Sequence, residues 1–523
     1  MAKNRTFQQN RTRARCLLPL CLVMPLLSNP SPAAPTEDLA LYGAPRKASR
    51  VEALEAGPVR LTFADGELRR LCVGGKEIIR RIYVSVRDTR WDTVEPEITH
   101  LDVQRSRGGF TIRLDALCRG KGIDFSWHGD ITGTPDGRVT FRVRGAANAD
   151  CRANRFGMCV LYGADSLAGR AYEVRDAEGG ARTAAFPDLL APVILQDKFQ
   201  CLRYTTAEGL RVTTSVTDTL LGMEDQRQFG DSSYKAFSAM TFPYPDIVKG
   251  SSGTESISVS VENVPAAVKS LRKPAGGPPI LLRLGDALPH ARVPKLLPYD
   301  KALARPGFFM DVSTARDKLR EAPIVTWPFN VAVNLFDDET LIENLPALAD
   351  QVRTARAFAP GAVLRVTPAT FNPPWPREGP DPRNRGQFAA AWLAAAVSHL
   401  ARAGADEAMF DTGPGPAERV ERMLAAHVGQ TVLATHFTPS PHPSLEALAV
   451  EDHRTRYLWL INLTPRPQKV TLEGLPGGAR LELQRVNTTT PAPADHPPGT
   501  IPAKRGRFQL ALLPFEVCQV RVM

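Results

Sequence analysis

From Val51 to about Val264, apolar and polar residues alternate with a period of two. Val59-Arg60-Leu61-Thr62-Phe63 runs into Asp65-Gly66, a turn signal. The segments 82–86, 110–114 and 139–143 repeat the pattern, Asp136-Gly137 marks another turn, and Ser256 to Val261 closes the region. Many short strands and little helix predict a large β-sandwich over 51–264.

Beyond a Pro/Gly/Lys-rich boundary at Pro265 to Pro279 the period changes. Leu341, Leu345, Leu348, Val352 and Ala355 recur at helical spacing behind Asp337-Asp338, good residues for a helix N-terminus. Val363 to Thr367 reads as a short strand, Phe388 to Ala403 as an Ala-rich helix ending at Gly404, Glu407 to Asp411 as a strand, and Glu418 to His427 as a helix. This βα alternation over 279–443 implies a parallel barrel or wound sheet. From Leu445 onward the period of two returns in 457–461, 468–472, 480–483 and 517–520, predicting a small β-sandwich over 445–523. The fold class is therefore multidomain α+β.

The N-terminus changes the picture of residues 1–33. Lys3, Arg5, Arg11, Arg13 and Arg15 form a basic, acid-free start, Cys16 to Leu27 a short apolar run, and Ser31-Pro32-Ala33 a small-x-small cleavage site. This is the anatomy of a signal peptide, which implies an exported protein, periplasmic or extracellular; the run is too short for a membrane span, so none is expected once it is removed. Residues 34–50 read as a linker. Removing 1–33 lowers the net charge from +10 to +5, with 60 basic against 55 acidic residues. That charge is scattered, which argues against a nucleic-acid partner. Six cysteines remain. Cys151 and Cys159 suit a disulfide in an oxidising compartment, and all six equally suit buried apolar positions; the spacings make no zinc site.

The densest chemistry is Met223-Glu224-Asp225-Gln226-Arg227-Gln228-Phe229-Gly230-Asp231-Ser232-Ser233-Tyr234-Lys235. This stretch, Arg81 to Asp88 with Trp91 and Pro96-Glu97, Asn154 to Leu161, Phe336 to Asn344, Val366-Thr367-Pro368 and Asp381 to Trp392 together resemble the D-apionate lactonase family, in order and over most of 51–523. The resemblance implies a β-sandwich, a TIM-like barrel, a small C-terminal β-domain, and hydrolysis of a five-membered sugar-acid lactone. One departure stands out: Pro279 to Pro443 is 165 residues, whereas a complete eight-stranded barrel takes about 200–250. An incomplete or shortened barrel is expected.

Lactone hydrolysis needs a base for water, donors for the developing oxyanion, and groups that read hydroxyls; no cofactor or metal is called for. Glu224 and Asp225 are candidate bases, with Arg227, Asp231 and Lys235 as candidate substrate ligands. The competing reading is a salt-bridged loop that docks the sandwich on the barrel. Asp411 follows a barrel strand, where catalytic groups of barrels gather; Asp337 and Asp338 do too, although helix capping explains both. Trp375, among Pro373, Pro374 and Pro376, is a candidate sugar platform or a hydrophobic plug. Arg383 is a candidate carboxylate ligand or a solvated surface residue. His436 and His442 lack a recognisable third metal ligand, and no G-x-S-x-G elbow is present. Three functions compete: a hydrolase of sugar-acid lactones using carboxylate-activated water, a glycoside hydrolase-like enzyme with paired carboxylates, and a carbohydrate-binding protein that has lost turnover. The partner in each case is a small-molecule carbohydrate lactone or sugar acid. The sequence sets no oligomeric state.

Overall fold

The computed structural model describes residues 35–46, 49–190, 193–240, 242–265, 280–375, 379–440, 443–453, 455–489 and 500–523. The signal segment 1–33, most of the 265–279 boundary and His442 lie outside the described residues. Among those described, no helix is long and apolar enough to cross a membrane.

The N-terminal region is a sandwich of two antiparallel sheets. One has the strand order Val51–Ala56, Val59–Ala64, Glu67–Val73, Lys76–Arg87, Arg155–Gly163, Ser233–Phe237, Leu221–Asp225 and Ile194–Phe199. The other runs from Ala181–Ala185 through Ser252–Glu262 and Val139–Ala147 to the edge strand Glu97–Ser106. Alternation along strands such as Val139–Ala147 puts Val139, Phe141 and Val143 into the shared core, against Ile82, Val84 and Val86 of the facing sheet. In Lys76–Arg87 the other face carries Arg81, Tyr83, Ser85 and Arg87, and these are buried as well. The reason is tertiary: the 333–337 segment of the middle domain lies over this face, with Leu335 packed on Tyr83, Cys159 and Leu161.

The middle domain is built on four parallel strands in the order Lys295–Leu297, Glu407–Phe410, Val363–Thr370 and Ile324–Asn330. Among the described residues no further parallel strand joins them, so the sheet stays open at Ile324–Asn330 where a complete barrel would continue. The helical periodicity is realised as Asp338–Glu343 followed by Pro346–Phe358, broken where Pro346 removes a backbone donor. Two flanking segments leave this domain. Ile280–Arg292 and Thr431–Thr438 pair with each other and with C-terminal strands, giving a nine-stranded C-terminal sheet.

Gln387–Ala403 is buried on nearly every side, which its alanines permit by presenting small faces in all directions. Gly404, at φ +79°, ends it in the left-handed conformation that favours glycine. Its Gln387 Nε2 donates to the Val486 and Phe515 carbonyls at 2.8 and 3.0 Å, fixing the C-terminal domain to the helix. Trp392 packs edge-on against Phe371 at 5.1 Å between ring centroids; cutting it to alanine would cost about 3–5 kcal/mol. The segment read as a linker holds the helix Pro35–Tyr42, whose Tyr42 packs on Phe515 at 5.5 Å. None of the six described cysteines forms a disulfide, so Cys151 and Cys159 are not joined.

Candidate functional site

The candidate residues separate into four groups. The first is a closed ionic knot. Asp225 ends the strand Leu221–Asp225 and caps the short 3-10 turn Gln226–Phe229. Its side chain is fully enclosed, and both oxygens accept from Arg227, at 2.9 and 2.7 Å. Arg227 also donates to Asp350 Oδ2 at 3.1 Å and to the Pro187 and Asp188 carbonyls at 2.7 and 2.9 Å, while its own carbonyl accepts from Gln351. Gly230 closes the turn at φ +96°, and a Cβ there would meet the Asn330 carbonyl at 2.2 Å. A base must present a free oxygen to water; Asp225 does not, and Arg227 has no free edge for a substrate carboxylate. Both serve to dock the sandwich on the middle domain.

The second group surrounds Asn334, in the loop after Ile324–Asn330. Its Nδ2 donates to Gln226 Oε1 at 2.8 Å and Asp231 Oδ2 at 2.7 Å; its Oδ1 accepts from Arg87 at 3.0 Å and Lys235 at 3.4 Å. Asp231 also takes the Ser233 hydroxyl and is buried, so it positions Asn334 rather than a ligand. Lys235 lies 3.5 Å from Glu224, and burial lowers its pKa. Glu224 is half-buried and accepts from Gln226 Nε2 at 2.6 Å. Sequence reasoning missed Asn334; a lone asparagine after a strand carried no signal beyond its position.

Arg383 forms the third group. It makes a bidentate pair with Asp381, at 2.9 and 2.6 Å, and donates to Asp338 at 2.8 Å. It is neither solvated nor free, and it ties the Pro382–Arg385 turn to the Asp338–Glu343 helix. Asp337 caps that helix through Thr340 and is held well below the usual carboxylate range by Arg81 and Arg69 against the cost of its burial.

The fourth group is the rim at the C-terminal ends of the parallel strands. Asp411 follows Glu407–Phe410 and is half-buried. Its Oδ2 accepts from Asn372 Nδ2 at 3.0 Å, and among the described residues it forms no ion pair. Asn372, another residue the sequence reading passed over, is held in turn by Asn384 at 2.7 Å and by the Asp381 amide at 3.0 Å. Asn330 reaches the Asn372 carbonyl at 2.6 Å. Tyr299, beyond Lys295–Leu297, is 53% exposed; burial first and the Asp411 charge second raise its pKa. Trp375 lies beyond Val363–Thr370, half-buried, its indole N–H without a hydrogen-bond partner among the described residues. Asp411 and Trp375 thus share the rim, while the charged loop lies apart in the docking interface. Among the described residues no cluster of three or more metal-ligating side chains occurs.

Three sequence profiles match in the order of the three domains: D-apionate lactonase N-terminal domain over residues 39–264, its TIM barrel domain over 304–434, and its C-terminal immunoglobulin-like domain over 443–520. The chain belongs to the D-apionate lactonase family. The D-apionate lactonase of Brucella anthropi is 28% identical over 217 residues, which is 40% of this chain and 35% of that protein. The aligned stretch thus spans about a third of that relative. Among solved structures, a bifunctional glucanase-xylanase from a metagenome library aligns at 14% identity over 43% of this chain and 42% of its own, with a TM-score of 0.26. A Croceicoccus marinus glucosidase aligns at 12% identity over 44% of this chain and 59% of its own, with a TM-score of 0.30. Scores this low bear on neither fold nor function.

Proposed function

We propose that the protein hydrolyses a five-membered sugar-acid lactone, with Asp411 as the base that activates water. The observation that carries this reading is the position of Asp411. It is the candidate carboxylate that stands at the end of a parallel strand, open to solvent and free of any cation partner among the described residues. Asn372 fixes one oxygen, and among the described residues Oδ1 is left to accept a proton from water. Water adds to the lactone carbonyl as Asp411 takes its proton, and Tyr299 is suited to donate to the developing oxyanion; collapse of the tetrahedral adduct breaks the ring C–O bond, and Asp411 returns the proton to the ring oxygen that leaves as the hydroxyl of the open-chain acid. Trp375 supplies an apolar surface for the sugar ring. The basic, acid-free leader supports export.

A second reading, a sugar-binding protein without turnover, is favoured by the count of four parallel strands among the described residues where eight build a complete active-site rim. A pH-stat assay of the full chain on a panel of aldonolactones separates the two. Acid release that Asp411→Asn lowers by about 10²–10⁴-fold supports hydrolysis. No acid release across the panel from folded protein sinks it.

A further inference from the structure

The outer face of the first sheet holds two arginines opposite one another, Arg87 and Arg155. Facing like charges are destabilising, and buried charges ordinarily have partners. The other buried arginines among the described residues obey this: Arg80, Arg81 and Arg227 each reach a carboxylate. Arg87 and Arg155, 5% and 9% exposed, form no ion pair among the described residues. They differ in one respect. Arg87 commits its donors to neutral acceptors: the Ser85 hydroxyl, the Trp91 and Val333 carbonyls, and Asn334. Arg155 makes no side-chain hydrogen bond among the described residues. Its guanidinium lies over the Phe237 ring at 4.1 Å and the Trp91 ring at 5.4 Å, leaving the donors of a planar fork uncommitted.

Trp91 is the second observation. It is 48% exposed although it is one of the largest apolar side chains in the protein. Its backbone has φ +66°, a left-handed conformation that costs a non-glycine residue strain. Asp88 holds the turn by accepting from the Arg90 and Asp92 amides at 2.8 and 2.9 Å, and Arg87 grips the Trp91 carbonyl at 2.9 Å. The turn is thus built to hold an indole in the open beside a free guanidinium. Arg87 also binds the Val333 and Asn334 carbonyls, so the patch adjoins the loop after the parallel strand Ile324–Asn330.

We propose that Trp91 and Arg155 form a subsite for the open-chain carboxylate of a sugar acid. The carboxylate takes the Arg155 fork and neutralises the Arg87–Arg155 pair; the C–H surface of the polyol lies on the indole. This rests on the reading of the protein as acting on sugar-acid lactones, and it names the ring-opened acid as the form held. The test is calorimetric titration of the full chain with D-gluconate, xylitol and inorganic phosphate, which requires no turnover. Saturable gluconate binding is expected, with none for xylitol. Arg155→Gln should weaken it by about 10–100-fold, as loss of a charge-assisted hydrogen bond does. Trp91→Gly, which suits φ +66° and so preserves the fold, should weaken it at least several-fold. Absence of gluconate binding, binding unchanged by both substitutions, or phosphate binding as tightly as gluconate would each overturn the proposal. Gluconate binding without lactone hydrolysis would overturn the hydrolytic reading and leave the subsite standing.

Discussion

Arg227→Met tests whether the charged loop is a structural joint. The substitution keeps most of the side-chain volume and removes the guanidinium. Asp225 then stays fully enclosed with no cation, Asp350 loses a 3.1 Å partner, and the Pro187 and Asp188 carbonyls lose their donors. Breaking a buried pair from one side costs about 3–5 kcal/mol, mostly because the remaining charge is uncompensated. For a cooperative unit of roughly 150–250 residues, that lowers the melting temperature by roughly 6–20 °C, at about 2–4 °C per kcal/mol. Differential scanning calorimetry reads the shift. The double substitution Asp225→Asn with Arg227→Met removes the orphaned charge, so it should recover part of the loss, with a coupling of about 0.5–3 kcal/mol. If Arg227→Met melts within a degree or two of wild type while lactone hydrolysis or gluconate binding collapses, the structural assignment is wrong and the loop belongs to the site.

Asp411→Asn should leave the melting temperature nearly unchanged, since among the described residues Asp411 has only neutral partners, and abolish most acid release in the pH-stat. Gly230→Ala should destabilise by more than about 1 kcal/mol, because φ +96° and the Asn330 carbonyl both oppose a Cβ; urea unfolding gives the value. Glu255 is fully buried in the sandwich core, and burial pushes its pKa up from 4.5 to about 7. Its neutral form is the one the fold accommodates. Its contribution is therefore complete below pH 4.5 and is lost as pH rises to about 7, a fall of about 3 kcal/mol. Glu343, raised to about 7 by burial and by Glu339, adds a slope of the same sign. Glu255→Gln should flatten the stability–pH curve by about half, measured by unfolding between pH 4.5 and 7.

Much of the fold was legible because backbone periodicity is a local property. The strands of the sandwich, the helix Gln387–Ala403 and the shortfall of barrel material could all be counted along the chain. The partners of Ile280–Arg292 and Thr431–Thr438 could not, since both satisfy a strand pattern whichever sheet they join. Arg81-Ile82-Tyr83-Val84-Ser85-Val86-Arg87 reads as a half-exposed strand, and only the arrival of Leu335 and Asn334 buries its polar face. The loop from Met223 to Lys235 shows the limit most clearly. Its charges suit a substrate site and a salt-bridged joint equally well, and what separates the two is whether Arg227 is enclosed. Enclosure depends on Asp350 and Gln351, more than a hundred residues away.

The pairing of Ile280–Arg292 with Thr431–Thr438 has a consequence for how this architecture can vary. Arg292 and Thr431 lie directly opposite one another in antiparallel register. The chain thus departs from the C-terminal sheet and returns to it at neighbouring points, and everything between them hangs as an insertion from one hairpin. An insertion whose ends are already held together can gain or shed whole βα repeats without moving its host. The anchor survives whatever the number of repeats. That makes the βα half of such a protein the part most easily shortened, and its C-terminal sheet the part most reluctant to change.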